Sequence, residues 1–195
     1  MKLEKRQLKY KGHRVKVYED TLISPEGETL HYDFVENRNG SGVLLIDEDE
    51  KLIFVRQYRN CIDDFDIEIP AGCAEESDYG DKQSEIKKDR TYFEDADSPF
   101  YRCALREAEE ETGLVPTKMH FINYIIASVG LFSERTAVYI GTGLKKGETN
   151  RDSDEFIDVL RFTLEEALQM VHDGRINDSK TVLAILEYAR IRGQN

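Results

Sequence analysis

Apolar positions along this chain follow two rhythms. In the first part they alternate with polar ones. Arg14-Val15-Lys16-Val17-Tyr18-Glu19-Asp20 and Leu30-His31-Tyr32-Asp33-Phe34-Val35 read as strands, with the turn signal Ser24-Pro25-Glu26-Gly27 between them. Residues 8–36 therefore predict an antiparallel β-hairpin or small sheet. Asn37 to Gly42 reads as a polar, glycine-bearing linker. Val43-Leu44-Leu45-Ile46 and Leu52-Ile53-Phe54-Val55 are unbroken apolar runs joined by an acidic turn, the pattern of a well-buried strand pair. Residues 119–127, 136–144 and 155–162 read as further strands.

The second rhythm is helical. Asp97-Ser98-Pro99 is a start signal, because Pro at the first helical position gives up no needed N–H. Phe100, Cys103, Ala104 and Ala108 then form an apolar seam, and Gly113 supplies the stop. A shorter helix is predicted over Leu164 to Asp173, ending at Gly174. Asp178 caps a last helix from Ser179 to about Arg190, with Val182, Leu183, Ile185, Leu186 and Ala189 as its inner face. Strands mixed with a few helices, outside strict alternation, indicate an α/β (α+β) sandwich around a mixed sheet. No internal repeat is present.

Composition narrows the class. With 195 residues, 39% of them hydrophobic and 34% charged, the chain is long enough for one domain with a full core plus an added N-terminal element. Three cysteines, Cys61, Cys73 and Cys103, lack metal-site spacing and point to a reducing compartment. Cys103 reads as a small core residue on the helical seam. Met1-Lys2-Leu3-Glu4-Lys5-Arg6 carries charge with no apolar run behind it, so neither a signal peptide nor a membrane span is expected, and the expected location is cytoplasmic. A net charge of −12 opposes binding to nucleic acid or anionic membrane, but not to a small anion met by local cations and a metal.

The candidate chemistry lies at the end of the long helix. Glu107, Glu110 and Glu111 stand at i, i+3 and i+4 and share a face. Cys103, Glu107 and Glu111 form one row beside the Ala104, Ala108 row, so two acids flank the buried seam. Glu109 lies across the wheel from Glu107 and is expected in solvent. Alone, such a cluster reads first as a solvated acidic face. Otherwise a hard divalent cation has to draw the acids together.

The surrounding motifs change that balance. Arg106-Glu107-Ala108-Glu109-Glu110-Glu111-Thr112-Gly113-Leu114 resembles the second half of the Nudix box, Arg-Glu-apolar-x-Glu-Glu-x-Gly-apolar. Val55-Arg56-Gln57-Tyr58-Arg59 and Glu68-Ile69-Pro70-Ala71-Gly72 resemble the segment before the box in ADP-ribose pyrophosphatases and related nucleoside diphosphate sugar hydrolases. Ser128 to Glu134, Asp154-Glu155-Phe156-Ile157, and Gly174 to Thr181 resemble later segments of that subfamily. The matches run in order over about residues 43 to 190. The resemblance implies a Nudix α-β-α sandwich over 41–195, preceded by a β element over 1–40 that pairs with a second subunit in a homodimer.

Two departures stand out. The box opens with Gly, five residues, Glu, then seven residues to the Arg. Counting back from Arg106 puts Ser98 and Tyr92 at the Glu and Gly positions. Gly72 suits the opening better, which leaves an insertion of about twenty residues, a long connection by ordinary standards. That stretch, about 77–97, is rich in Asp, Lys and Glu and reads as an exposed excursion. Glu75, Glu76 and Glu94 are the candidates for the missing loop Glu, whose usual job is to orient the box Arg. The second departure is Val129, where the subfamily usually has Pro.

By resemblance, Glu107, Glu111, the Ala71 carbonyl and Glu155 ligate Mg²⁺ or Mn²⁺, and Glu110 does so directly or through water. Asp152 or Asp154, with Glu134 as a further possibility, serves as general base, and Arg106 orients the acids. Read from residue type, Arg56 and Arg59 are either a salt-bridged strand end or a guanidinium fork for phosphate oxygens. Glu68 either contacts ribose or braces the Pro-Ala-Gly loop, bracing being preferred. Lys180 reads as satisfying a helix start. Tyr10, Tyr18, Tyr32 and Phe34 read as core or dimer contacts before base-stacking groups. No histidine has ligand spacing. The expected reaction is metal-dependent hydrolysis of a nucleoside diphosphate sugar, first ADP-ribose to AMP and ribose 5-phosphate. The alternatives are a UDP-sugar or GDP-mannose pyrophosphatase, or a non-catalytic module that senses a nucleotide sugar.

Overall fold

The computed structural model describes residues 1–79, 90–150 and 156–193. The chain forms two compact units: Met1–Asn39 with Ile126–Arg135, and Gly40–Ile125 with Thr136–Asn195.

The first unit is a three-stranded antiparallel sheet of β1 (Lys2–Lys11), β2 (Lys16–Ile23) and β3 (Thr29–Glu36), in the order β1-β2-β3. The two alternating segments become β2 and β3. Strand β1 is an addition, and all of it is exposed. Its run of Lys, Glu, Arg and Gln buries no face, so it leaves no period in the sequence. What fixes it is pairing to β2 and the fork of Arg6, which donates to Asp20 Oδ1 at 2.7 Å and Oδ2 at 2.6 Å and lies over the Phe34 ring. Leu3, Leu8, Tyr10 and Tyr32 face solvent. In the same unit, Val35 is clasped by Leu131 and Ser133 through backbone hydrogen bonds.

The second unit carries a seven-stranded mixed sheet: β4 (Gly40–Ile46), β5 (Leu52–Arg59), β6 (Asp64–Glu68), β7 (Ala71–Cys73), β8 (Leu114–Ile125), β9 (Thr136–Lys146) and β10 (Asp158–Phe162). Its main path is β10-β5-β4-β9-β8, with β4 parallel to β9, while β6 pairs with β5 and β7 with β4. Among the described residues five helices accompany it: α1 (Glu76–Tyr79), α2 (Arg90–Glu94), α3 (Pro99–Thr112), α4 (Leu164–His172) and α5 (Ser179–Gly193). The unbroken apolar runs have a simple cause, since both faces of the sheet are covered. Val43, Leu45 and Ile53 meet Phe100, Ala104 and Ala108 of α3. Leu44, Ile46, Leu52 and Phe54 meet Ala167 and Met170 of α4 and Ala184, Ile185 and Tyr188 of α5.

Several boundaries differ from expectation. The predicted linker over Asn37–Gly42 is half strand: Gly40, Ser41 and Gly42 are buried and pair with β7 and β9. Glycine is required there, since a Cβ on Gly40 would run into the Gly72 carbonyl. On α5 the inner face turns toward Ala184 and Tyr188, and Leu186 is exposed. Thr163 closes a capping box with Glu166 at the start of α4. Among the described residues no helix is long and apolar enough to cross a membrane.

Candidate functional site

Helix α3 forms where its signals place it. Ser98 is the N-cap with extended backbone, Pro99 begins the first turn, and Gly113 closes the helix at φ 70°, where its N–H reaches the Glu109 carbonyl at 2.7 Å. The Ser98 hydroxyl does no capping and is buried without a hydrogen-bond partner. The helix buries Phe100, Cys103, Ala104, Glu107, Ala108 and Glu111. Glu107 and Glu111, 8% and 3% exposed, thus belong to the interior edge of the seam and not to a solvated face. Glu109 is half-buried instead of fully solvated, and its Oε1 accepts from the Glu148 N–H at 3.3 Å.

Arg106 ties this row together. Its Nη1 lies 2.7 Å from Glu110 Oε2 and 2.9 Å from Glu107 Oε1. Its Nη2 donates to the Cys73 carbonyl at 3.0 Å and to Asp78 Oδ2 at 3.0 Å, and its Nε reaches Asp78 Oδ1 at 3.3 Å. Burial works against the guanidinium charge, but the Asp78 hydrogen bond and the adjacent acids outweigh it and raise its pKa further. Asp78 is 4% exposed and also accepts from the Glu75 N–H.

Asp78 corrects the expectation for the missing loop Glu. Glu75 and Glu76 are exposed, and Glu94 pairs with Arg90. Counting forward from Gly72 by the spacing of the box opening reaches Asp78. A carboxylate one methylene shorter occupies the position, and the extra chain enters after it. The signal for it lies in the spacing from Gly72, since Asp serves at the Glu position.

Gly72 matters for a second reason. A Cβ there would overlap the Glu107 carboxylate, lying 2.6 Å from Oε2. The Ala71 N–H donates to Glu111 Oε2 at 3.1 Å, which docks the Pro-Ala-Gly segment onto the helix. Cys103 Sγ lies 3.5 Å from the Gly72 carbonyl, and burial together with Glu107 and Asp78 pushes its thiol pKa well up, so it is an inert core residue. Among the described residues, no three His, Cys, Asp or Glu side chains already form a metal cage. Three carboxylates (Asp78, Glu107, Glu110) nevertheless meet the Arg106 guanidinium, with Cys103 Sγ 3.8 Å from it, and Glu111 adds a fourth carboxylate from the same helix face.

The other sequence-predicted residues are placed as follows. Arg56 stacks on the Phe65 ring at 4.3 Å and pairs with Asp158 at 3.3 Å. Arg59 donates to both oxygens of Glu68, at 2.5 and 3.0 Å. Burial raises the Glu68 pKa, but Lys180 and Arg59 outweigh it and hold the carboxyl at about 2. Glu134, in the first unit, accepts from the Asn37 amide. Asp152, Asp154 and Glu155 lie outside the described residues.

A family model described as the NUDIX domain matches residues 36–184. The chain belongs to the Nudix family. This Nudix chain is similar to the methanol dehydrogenase activator of Bacillus methanolicus, 33% identical over 178 residues, covering 90% of the chain and 85% of that protein. It is likewise similar to the ADP-ribose pyrophosphatase of Bacillus subtilis (strain 168), 30% identical over 185 residues, covering 94% and 89%. A crystal structure described as an ADP compounds hydrolase superposes with a TM-score of 0.76 at 18% identity, covering 100% of this chain and 97% of that one, and shows the same fold. The Nudix chain is a hydrolase acting on pyrophosphate bonds.

Proposed function

We propose that the chain hydrolyses the diphosphate bridge of a nucleoside diphosphate sugar with Mg²⁺ or Mn²⁺, with ADP-ribose as the first substrate and AMP and ribose 5-phosphate as products. The observation that carries this reading is the buried pair Glu107 and Glu111 on α3, in a setting where carboxylates outnumber cations. Like charges held inside are costly unless a cation joins them. An oxygen-only donor set suits a hard divalent ion. Glu107, Glu111 and the Ala71 carbonyl would hold it, with Glu110 directly or through water and Glu155 as an added acid. When bound, such an ion neutralises charge on the diphosphate and lowers the pKa of a bound water.

The chain's own groups supply the rest. Arg106, held by Asp78, keeps Glu107 and Glu110 at fixed positions. Asp152 or Asp154 takes the proton of the attacking water. Arg56 and Arg59 bind phosphate oxygens as planar forks. The B. subtilis relative supports ADP-ribose ahead of other nucleotide sugars. The exposed Leu3, Leu8, Tyr10 and Tyr32 of the N-terminal sheet support a homodimer formed through that sheet, and light scattering on the purified protein checks it.

The test is a substrate panel of ADP-ribose, GDP-mannose and UDP-glucose with Mg²⁺, the products resolved by ion-exchange chromatography. AMP released fastest from ADP-ribose is the expected result. Faster release of GMP or UMP reassigns the base. Calorimetric binding without release of any monophosphate overturns the catalytic reading in favour of a sensor.

A further inference from the structure

Beside the acid row of α3, one buried carboxylate is shared by two cations. Glu68 accepts from Arg59 with both oxygens, and the ammonium of Lys180 reaches the same Oε2. Lys180 Nζ also lies 3.0 Å from Asp178 Oδ2. The Glu68 and Lys180 side chains are only 5% and 14% exposed. Burial lowers the Lys180 pKa, but Glu68 and Asp178 outweigh it and keep the group charged.

Lys180 does not cap its own helix, although it pairs with the Asp178 carboxylate that does. It sits in the first turn of α5, where the helix dipole is positive and a cation is disfavoured. The cap is made by others: Asp178 Oδ2 accepts from the Thr181 N–H at 3.0 Å and from its hydroxyl at 2.6 Å. Thr181 Oγ1 in turn accepts from the Ile69 N–H at 2.9 Å. Two residues further on, the Ala71 N–H closes on Glu111. The start of α5 thus grips the Glu68–Ala71 segment twice, through Lys180 on Glu68 and through Thr181 on Ile69. That segment carries the acid that holds Arg59 at one end and the docking point of Glu111 at the other. Arg59 itself lies within electrostatic reach of Glu111.

We propose that Lys180 is a positioning residue for the hydrolysis, acting through Glu68: by sharing that carboxylate it sets the position of the Arg59 fork beside the acids of α3. This rests on the hydrolytic reading of the site. With Lys180 present, the two acids Glu68 and Asp178 face two cations, Arg59 and Lys180, with Asp66 also within electrostatic reach. Without it Glu68 has Arg59 alone, and the carboxylate's hold on the guanidinium tightens against transfer to an incoming phosphate.

The experiment compares the wild type with Lys180→Met, Lys180→Arg, Glu68→Gln and the Glu68→Gln/Lys180→Met double variant. One readout needs no turnover: the Nε–Hε NMR signal of Arg59, recorded without metal or nucleotide. Lys180→Met is expected to move that signal and Lys180→Arg to restore most of it. With whichever nucleotide sugar the wild type hydrolyses, Lys180→Met should raise KM about tenfold with a smaller change in kcat. The double variant should be no worse than Glu68→Gln alone, because Lys180 acts on Arg59 only through the Glu68 carboxylate. An unmoved Arg59 signal in Lys180→Met, or effects of the two single changes that simply multiply, overturns the proposal. Should Lys180→Met fail to fold, the double variant takes its place. Its Arg59 signal must then coincide with that of Glu68→Gln, and a difference overturns the proposal. A wild type inactive on every nucleotide sugar defeats the hydrolytic reading instead, and the Arg59 signal still decides the role of Lys180.

Discussion

A single guanidinium organises the acid row. Arg106 touches Asp78, Glu107, Glu110 and the Cys73 carbonyl with three nitrogens. Only a planar fork with several donors makes those contacts together, and a lysine does not. Asp78 is the partner that faces Arg106 from outside the helix. Asp78→Ala should therefore lower kcat/KM by about ten- to a hundredfold, the cost of losing one charge-assisted contact that sets other groups. Asp78→Asn should fall between, and steady-state kinetics on the three proteins checks the order. Glu68 supports a pH prediction. Its folded pKa of about 2 lies below the ordinary 4.5, so its stabilisation is present above about pH 4.5 and is lost as pH falls toward 2. The stability gap between wild type and Glu68→Gln should narrow over that window by about 3 kcal/mol, measured by denaturant titration at each pH. At this scale the sequence was legible in the placing of Glu107 and Glu111 beside the buried seam of their own helix. It was silent on partnerships across elements. Nothing local to Asp78, or to Lys180 within Asp-Ser-Lys-Thr, announces a partner far away in the chain.

Among elements, the insertion departs most from its composition. Its described ends are mostly exposed, as expected, but buried Asp78 and Phe93 anchor them. Phe93 of α2 is 1% exposed, stacked on Phe121 at 5.0 Å and on Tyr124 at 5.1 Å, and packed on Phe100. The Tyr139 hydroxyl donates to the Phe93 carbonyl at 2.8 Å. Arg90 donates to the carbonyls of Phe121 and Ile122, where the β8–β9 register shifts between Phe121 and Asn123. Helix α2 is therefore part of the wall behind α3. Phe93→Ala should cost about 3–5 kcal/mol of stability, as for other buried aromatics, whereas a solvent-facing position would cost almost nothing. Thermal or urea unfolding of that variant decides between the two. The surrounding Asp, Lys and Glu hid one aromatic that anchors the stretch. Strand β1 was hidden for the opposite reason, because a strand with no buried face has no alternation to read. The glycines of β4 looked like a linker because the sequence does not show that Gly72 passes close enough to exclude a side chain.

For the molecule as a whole, the mixed sheet and its two layers of helices were legible, since Val43-Leu44-Leu45-Ile46 distributes alternate residues to the two cores. The gathering of the Ile126–Arg135 segment with the N-terminal sheet was not, because it rests on backbone bonds such as that of Val35 to Leu131. On the proposed reading, carboxylates from one turn of α3 draw a divalent ion to a phosphoanhydride. That reading is tested most directly by titrating Mn²⁺ into wild-type protein and Glu111→Gln, each with ADP-ribose present, and following bound metal by paramagnetic resonance alongside AMP release. Saturable binding by the wild type, weakened at least about tenfold in Glu111→Gln together with a loss of AMP release, is the expected result. Equal metal binding and equal turnover by the two proteins, or AMP release that persists in excess EDTA, contradicts it.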